Sequence, residues 1–139
     1  DLTEVLLVKL VRTASLSLRV STPPAESKEC AAAKRYIDEN YSRTITLDSL
    51  AEIAHVNKYY LSHSFKREYG ASPIDYLMKR RITEAKALLT STDFSLTQIA
   101  EQIGFRSLAY FSKCFRKVED ISPNEYRKTA ARKAPPGNL

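Results

Sequence analysis

The feature that most limits what this chain can fold into is that part of it occurs twice. Leu47-x-x-Leu50-Ala51-Glu52 is answered by Leu96-x-x-Ile99-Ala100-Glu101 at an offset of about 49. After one extra residue the match resumes: Ser62-x-x-Phe65-Lys66-Arg67 stands against Ser112-x-x-Phe115-Arg116-Lys117, and Ser72-Pro73 with Tyr76 against Ser122-Pro123 with Tyr126. Self-similarity at this period marks a supersecondary unit that buries its apolar face against its neighbours.

The punctuation inside each copy is helical. Thr46 caps a short helix to about Ala54, Asn57 caps another to about Tyr69, and Gly70 supplies a left-handed stop. Ser72 followed by Pro73 opens a longer helix to about Thr90, with Ile74, Leu77, Met78, Ile82, Ala85, Leu88 and Leu89 as its apolar stripe. Ser95 with Gln98, and Ser122 with Glu125, make capping boxes for two more. A further helix precedes the repeat, from about Ala31 to Tyr41. Only 3 glycines in 139 residues leave little for hairpin turns or phosphate-cradling loops, so the chain reads as all-α.

Residues 1–28 read as an N-terminal helix and linker. Leu2, Val5, Leu6, Leu10, Val11, Ala14 and Leu18 recur at helical spacing, although the alternation of Leu16, Leu18 and Val20 also allows a short strand. Pro23 and Pro24 then break any helix. That apolar stripe packs on the rest of the chain or on a second copy, or is the trailing edge of a larger upstream domain. The main domain spans residues 29–132, with fraying from Ala130 and a disordered tail at residues 133–139.

Twenty-two Lys and Arg against 16 Asp and Glu give a net charge of +6, which favours a polyanionic partner without identifying one. The placement of the charges says more. In the second helix of the first copy, Leu61, Phe65 and Tyr69 (or Glu68) face inward, leaving Tyr59, Ser62, His63 and Lys66 as an outer stripe. In the second copy Phe111, Phe115 and Val118 face inward, leaving Ala109, Ser112, Lys113 and Arg116. Both stripes are uncharged or basic, as suits a helix that enters the major groove of double-stranded DNA. A helical protein-interaction module, with Leu2, Leu6 and Leu10 as a partner seam, is the competing class; RNA binding is a weaker third.

Catalysis finds no support. The chain has no Walker loop, G-x-S-x-G or H-E-x-x-H, and Glu84, Asp93 and Glu101 are spaced as surface charges. Cys30 and Cys114 form no C-x-x-C or ligand cluster, which fits a reducing compartment, and no metal or cofactor is expected. Cys114 reads as a small hydrophobe beside the core stripe; Cys30 has room at a helix start to be more exposed. No apolar run reaches the about 18 residues needed to cross a bilayer.

Gly104-Phe105-x-Ser107-x-x-Tyr110-Phe111-Ser112-x-x-Phe115-Arg116-Lys117, followed by Ser122-Pro123-x-x-Tyr126-Arg127, resembles the AraC/XylS-type bacterial transcription regulators. Tyr60-Leu61-Ser62-x-x-Phe65-Lys66, Gly70-x-Ser72-Pro73 and Arg81-x-x-x-Ala85-x-x-Leu88-Leu89 are similar to that family's first unit and linker helix. The resemblance covers about residues 30 to 129. It implies seven helices in two helix-turn-helix subdomains joined by a long linker helix. It also implies promoter binding, usually as an activator touching RNA polymerase, in the cytoplasm at the bacterial nucleoid. A homodimer through an upstream or N-terminal segment is a further expectation. His55 stands where the second copy has Gly104, and Asp120 where the family often has Gly, so a left-handed backbone with some strain is expected at both.

The expected DNA-binding residues are Asn57, Lys58, Tyr59, Tyr60, Ser62, His63 and Lys66 in the first copy. Those of the second are Arg106, Ser107, Ala109, Tyr110, Ser112, Lys113 and Arg116. Asn57 and Ser107 open the reading helices and are expected to offer backbone donors to phosphate. Of the pair Arg80 and Arg81, one ties the units together through acidic or backbone acceptors and the other faces DNA.

Overall fold

The computed structural model describes residues 27–133. The expected N-terminal helix, the proline-containing linker up to residue 26 and the tail beyond residue 133 lie outside the described residues. Among those described there are seven helices and no strand: α1 (Lys28–Asn40), α2 (Leu47–Ala54), α3 (Lys58–Tyr69), α4 (Pro73–Ser91), α5 (Leu96–Gln102), α6 (Leu108–Glu119) and α7 (Pro123–Lys133).

Local capping chemistry sets most of these boundaries. Thr46 and Ser49 exchange side-chain and backbone hydrogen bonds at the start of α2, as Ser95 and Gln98 do for α5 and Ser122 and Glu125 for α7. Helix α1 begins three residues earlier than the periodicity suggests, because the Ser27 hydroxyl accepts the Cys30 N–H at 3.1 Å and caps from within the stretch read as linker. At the other end, α7 stays helical past Ala130 to Lys133, later than the expected fraying. His55 (φ 60°) and Asp120 (φ 71°) do adopt the left-handed conformation.

The helices enclose two cores that share α4. The first joins Ala33, Ile37, Leu50, Leu61, Phe65 and Leu77; the second joins Ile82, Ala85, Leu89, Ile99, Phe111 and Phe115. Each large side chain buried there contributes about 1.5–3 kcal/mol of transfer free energy. The N-terminal half of α4 therefore completes one unit and its C-terminal half founds the next, with Met78 packed against both. The repeat extends to ring packing. Phe65 meets Tyr76 edge-on at 5.7 Å with Lys34 over the tyrosine, and Phe115 meets Tyr126 at 5.5 Å with Lys86 over it. The two cysteines exchange expected environments: Cys30 is fully buried in the first core, and Cys114 is half-buried.

The units meet at the loop after α1. Arg81, 5% exposed, donates from Nε to the Tyr41 carbonyl at 2.6 Å and from Nη2 to the Arg43 carbonyl at 2.8 Å. Its guanidinium also lies 5.5 Å from the centre of the Phe105 ring in the second unit. Gly104 (φ 101°) passes so close that a Cβ there would stand 2.9 Å from the Ser42 carbonyl oxygen. Arg81 is thus the arginine that ties the units. Arg80 is not left free to face DNA: Glu84 holds it at 2.6 Å and Asp38 at 3.5 Å, over the Tyr41 ring.

Two outcomes follow for stability. Gly104→Ala combines an unfavourable φ with a backbone clash and is expected to cost about 2–4 kcal/mol, whereas Gly70→Ala, with open space around it, costs about 1–2 kcal/mol; urea unfolding of both variants checks the order. Glu68 Oε1 accepts the Ser27 N–H at 2.8 Å, which holds this carboxyl below its usual 4.5. A depressed folded pKa means that its contribution is complete above 4.5 and is lost as pH falls through the folded value. Glu68→Gln should therefore flatten the acid limb of stability, read from urea midpoints taken at descending pH.

Candidate nucleic-acid interface

Each unit carries a short helix, a turn and a second helix, and the turns match bond for bond. In the first, His55 N–H reaches the Glu52 carbonyl at 3.2 Å and Val56 N–H the Ala51 carbonyl at 3.0 Å. In the second, Gly104 N–H reaches Glu101 at 3.2 Å and Phe105 N–H reaches Ala100 at 2.9 Å. A histidine and a glycine therefore make the same reversal, at the cost of a left-handed side chain in the first copy.

The exposure of the second helices repeats almost residue by residue. Leu61 and Phe65 in α3, like Phe111 and Phe115 in α6, are buried, and Ser62 and Ser112 are half-buried. Tyr59, Tyr60, His63 and Lys66 are exposed, and so are Ala109, Tyr110, Lys113 and Arg116. Arg106 is exposed in the second turn. Both expected stripes thus lie on outer faces, flanked by Tyr60 and Tyr110. The Tyr110 ring rests edge-on against Phe105 at 5.6 Å, and its interaction with Cys114 raises the phenol above its ordinary value of 10.0.

Of the residues at the helix starts, only Lys58 departs from the sequence reading. Asn57 and Ser107 are caps, whose side chains accept the N–H groups of Tyr59 at 2.7 Å and Tyr110 at 3.1 Å. The backbone N–H groups of Lys58 and Tyr60 in α3 and of Leu108 and Ala109 in α6, like those of Asn57 and Ser107, have no acceptor among the described residues. Lys58 pairs with Asp48 at 3.3 Å and lies over the Tyr59 ring, so its charge is partly spent within the protein.

Electrostatics separates these helices from ordinary solvated ones. Each contains a single carboxylate, and each is engaged away from the outer stripe: Glu68 with the Ser27 N–H, Glu119 with Lys86 at 3.2 Å. Neither helix has an acid in its first turn, while Lys66, Arg67, Arg116 and Lys117 fill the last turns. The outer faces hold positive charge and hydroxyls with no acid between them.

A cleft of about 520 Å³ opens between α3, α4 and α6, lined among others by Lys66, Met78, Lys79, Tyr110 and Lys117. Reading single helices missed Lys79 and Lys117, because the cleft forms only when three helices converge. Among the described residues no group of three or more His, Cys, Asp or Glu could hold a metal, and no helix is long and apolar enough to cross a membrane.

Residues 50–129 match the family described as a helix-turn-helix domain. The chain is 39% identical over 111 residues to the uncharacterized HTH-type transcriptional regulator YisR of Bacillus subtilis (strain 168); the match covers 80% of the chain but only 39% of that regulator's length. Among solved structures it resembles the C-terminal domain of AraT, a response regulator from Geobacillus stearothermophilus. The TM-score is 0.73 at 39% identity, covering 76% of this chain and 88% of that one. It also resembles the DNA-binding domain of AdpA, a global transcriptional factor, in complex with a target DNA. There the TM-score is 0.74 at 26% identity, covering 80% of this chain and 100% of that one.

The caps give the site a stability of its own that can be measured. Ser107→Ala is expected to cost about 1 kcal/mol and Ser107→Gly only a few tenths, both read by thermal unfolding without DNA.

Proposed function

Because the chain belongs to the AraC/XylS-type family of DNA-binding transcription regulators, we propose that it reads promoter DNA by placing α3 and α6 in two successive major grooves. Tyr59, Ser62, His63 and Lys66 read one segment; Arg106, Ala109, Ser112, Lys113 and Arg116 read the next. Lysine and arginine suit guanine acceptors, while Tyr59 and Ala109 suit thymine methyls. Tyr60, Tyr110 and the open N–H groups beginning each helix suit phosphate oxygens, which fix register.

The observation that carries this reading is the paired exposure of α3 and α6, with both carboxylates drawn inward. Geometry agrees with it: α4 has 19 residues, a length of about 28 Å at 1.5 Å per residue, close to the ~34 Å between successive major grooves on one face. In the same reading the regulator acts in the cytoplasm at the nucleoid, as an activator touching RNA polymerase, and pairs with a second copy through an upstream or N-terminal segment. The family resemblance and the much greater length of YisR support those parts.

Selection from randomised duplex DNA, followed by titration of the enriched site at several salt concentrations, tests the core of the proposal. Two short blocks about one helical turn apart, with binding that weakens steeply in salt, are expected. Lys113→Ala should cost about 1–3 kcal/mol on the selected site and relax preference at one base step. Sequence-blind binding by the unaltered chain would overturn twin major-groove reading.

A further inference from the structure

We propose that the cleft between α3, α4 and α6 is a clamp for the DNA phosphodiester backbone, built by Lys66, Lys79 and Lys117. This rests on the twin-groove reading and adds to it Lys79 and Lys117, which lie outside both reading stripes, beside Lys66 at the end of the first. The cleft is continuous with those stripes, since Lys66 belongs to the first and Tyr110 adjoins the second at Ala109. A duplex that serves both helices must carry a stretch of backbone across the gap between them.

The charges in the gap suit that backbone. All three lysines are exposed, and none is paired with a carboxylate among the described residues. Lys34, Lys58 and Lys86, by contrast, are each matched to an acid. The unmatched lysines thus converge from three separate helices on one cleft. The half-buried Met78 in its lining provides apolar surface against which lysine stems can lie while their ammonium groups stay in water. One carboxylate, Asp75, also lines the cleft and opposes the anion.

This arrangement yields effects of opposite sign. Each lysine that meets a phosphate releases about 0.9 of a counterion, so its loss lowers the salt slope by about 0.9 and weakens binding about eightfold at 0.1 M salt. Lys79→Ala and Lys117→Ala are each expected to do this equally on selected and scrambled duplexes, with the selected sequence unchanged. Asp75→Asn should tighten binding on both. The test is fluorescence titration of the full 139-residue chain and these variants, with thermal unfolding as the check on folding. Unchanged slopes in both lysine variants, or an altered base preference in either, would overturn the clamp while leaving twin-groove reading intact. If the unaltered chain selects no sequence, the functional reading fails, and the clamp with it.

Discussion

A single buried guanidinium sets the geometry on which the rest of this molecule depends. Arg81 lies on α4 between Leu77, which belongs to the first core, and Ile82, which belongs to the second. Burial pulls its pKa below the usual arginine value, the sign of a charge taken out of water. Two carbonyls of the loop after α1 and the face of Phe105 offset that cost. The interaction is directional, unlike the apolar packing on either side, and therefore selects one angle between the units. That angle determines where α3 and α6 point relative to each other, and with it the shape of any surface that could engage both.

The interface also shows that net charge is a poor guide to a basic protein's contacts. Much of the positive charge on this chain is consumed internally: Arg80 by Asp38 and Glu84, Arg127 by the carbonyls of Leu89 and Thr92, Lys86 by Glu119. Among the described residues, Lys66, Lys79, Lys113, Arg116 and Lys117, on the outer faces of α3 and α6 and in the cleft between them, carry no salt bridge. The acids do as much to define the surface as the bases, because Glu68 and Glu119, the one carboxylate in each of α3 and α6, are both turned aside, which leaves Asp75 as the acid in the cleft.

Most of the helix boundaries, and both outer stripes, were legible in the sequence because they depend on neighbours in the chain. Thr46, Asn57, Ser72, Ser95 and Ser107 cap through contacts two or three residues away, and the left-handed stops at His55 and Asp120 follow from the repeat. What escaped depends on residues distant in sequence. Nothing around Lys58 announces Asp48, and nothing around Gly104 announces the Ser42 carbonyl against it. The burial of Cys30 follows from α3 and α4 folding back over α1, which no local pattern encodes. Ser27 was a readable cap obscured by the prolines just before it.

The sharing of α4 makes the repeat overlapping rather than tandem, and this bears on how many units such an arrangement can string together. A helix that ends one unit can begin another only if its apolar stripe continues beyond the first core, as Ile82, Ala85 and Leu89 do in α4. In the register of the repeat, α7 stands to α6 as α4 stands to α3, with Tyr126 in the place of Tyr76. The positions answering Ile82 and Ala85, however, are Arg132 and Pro135. In the sequence, then, the apolar stripe that continues through α4 does not recur at these two positions.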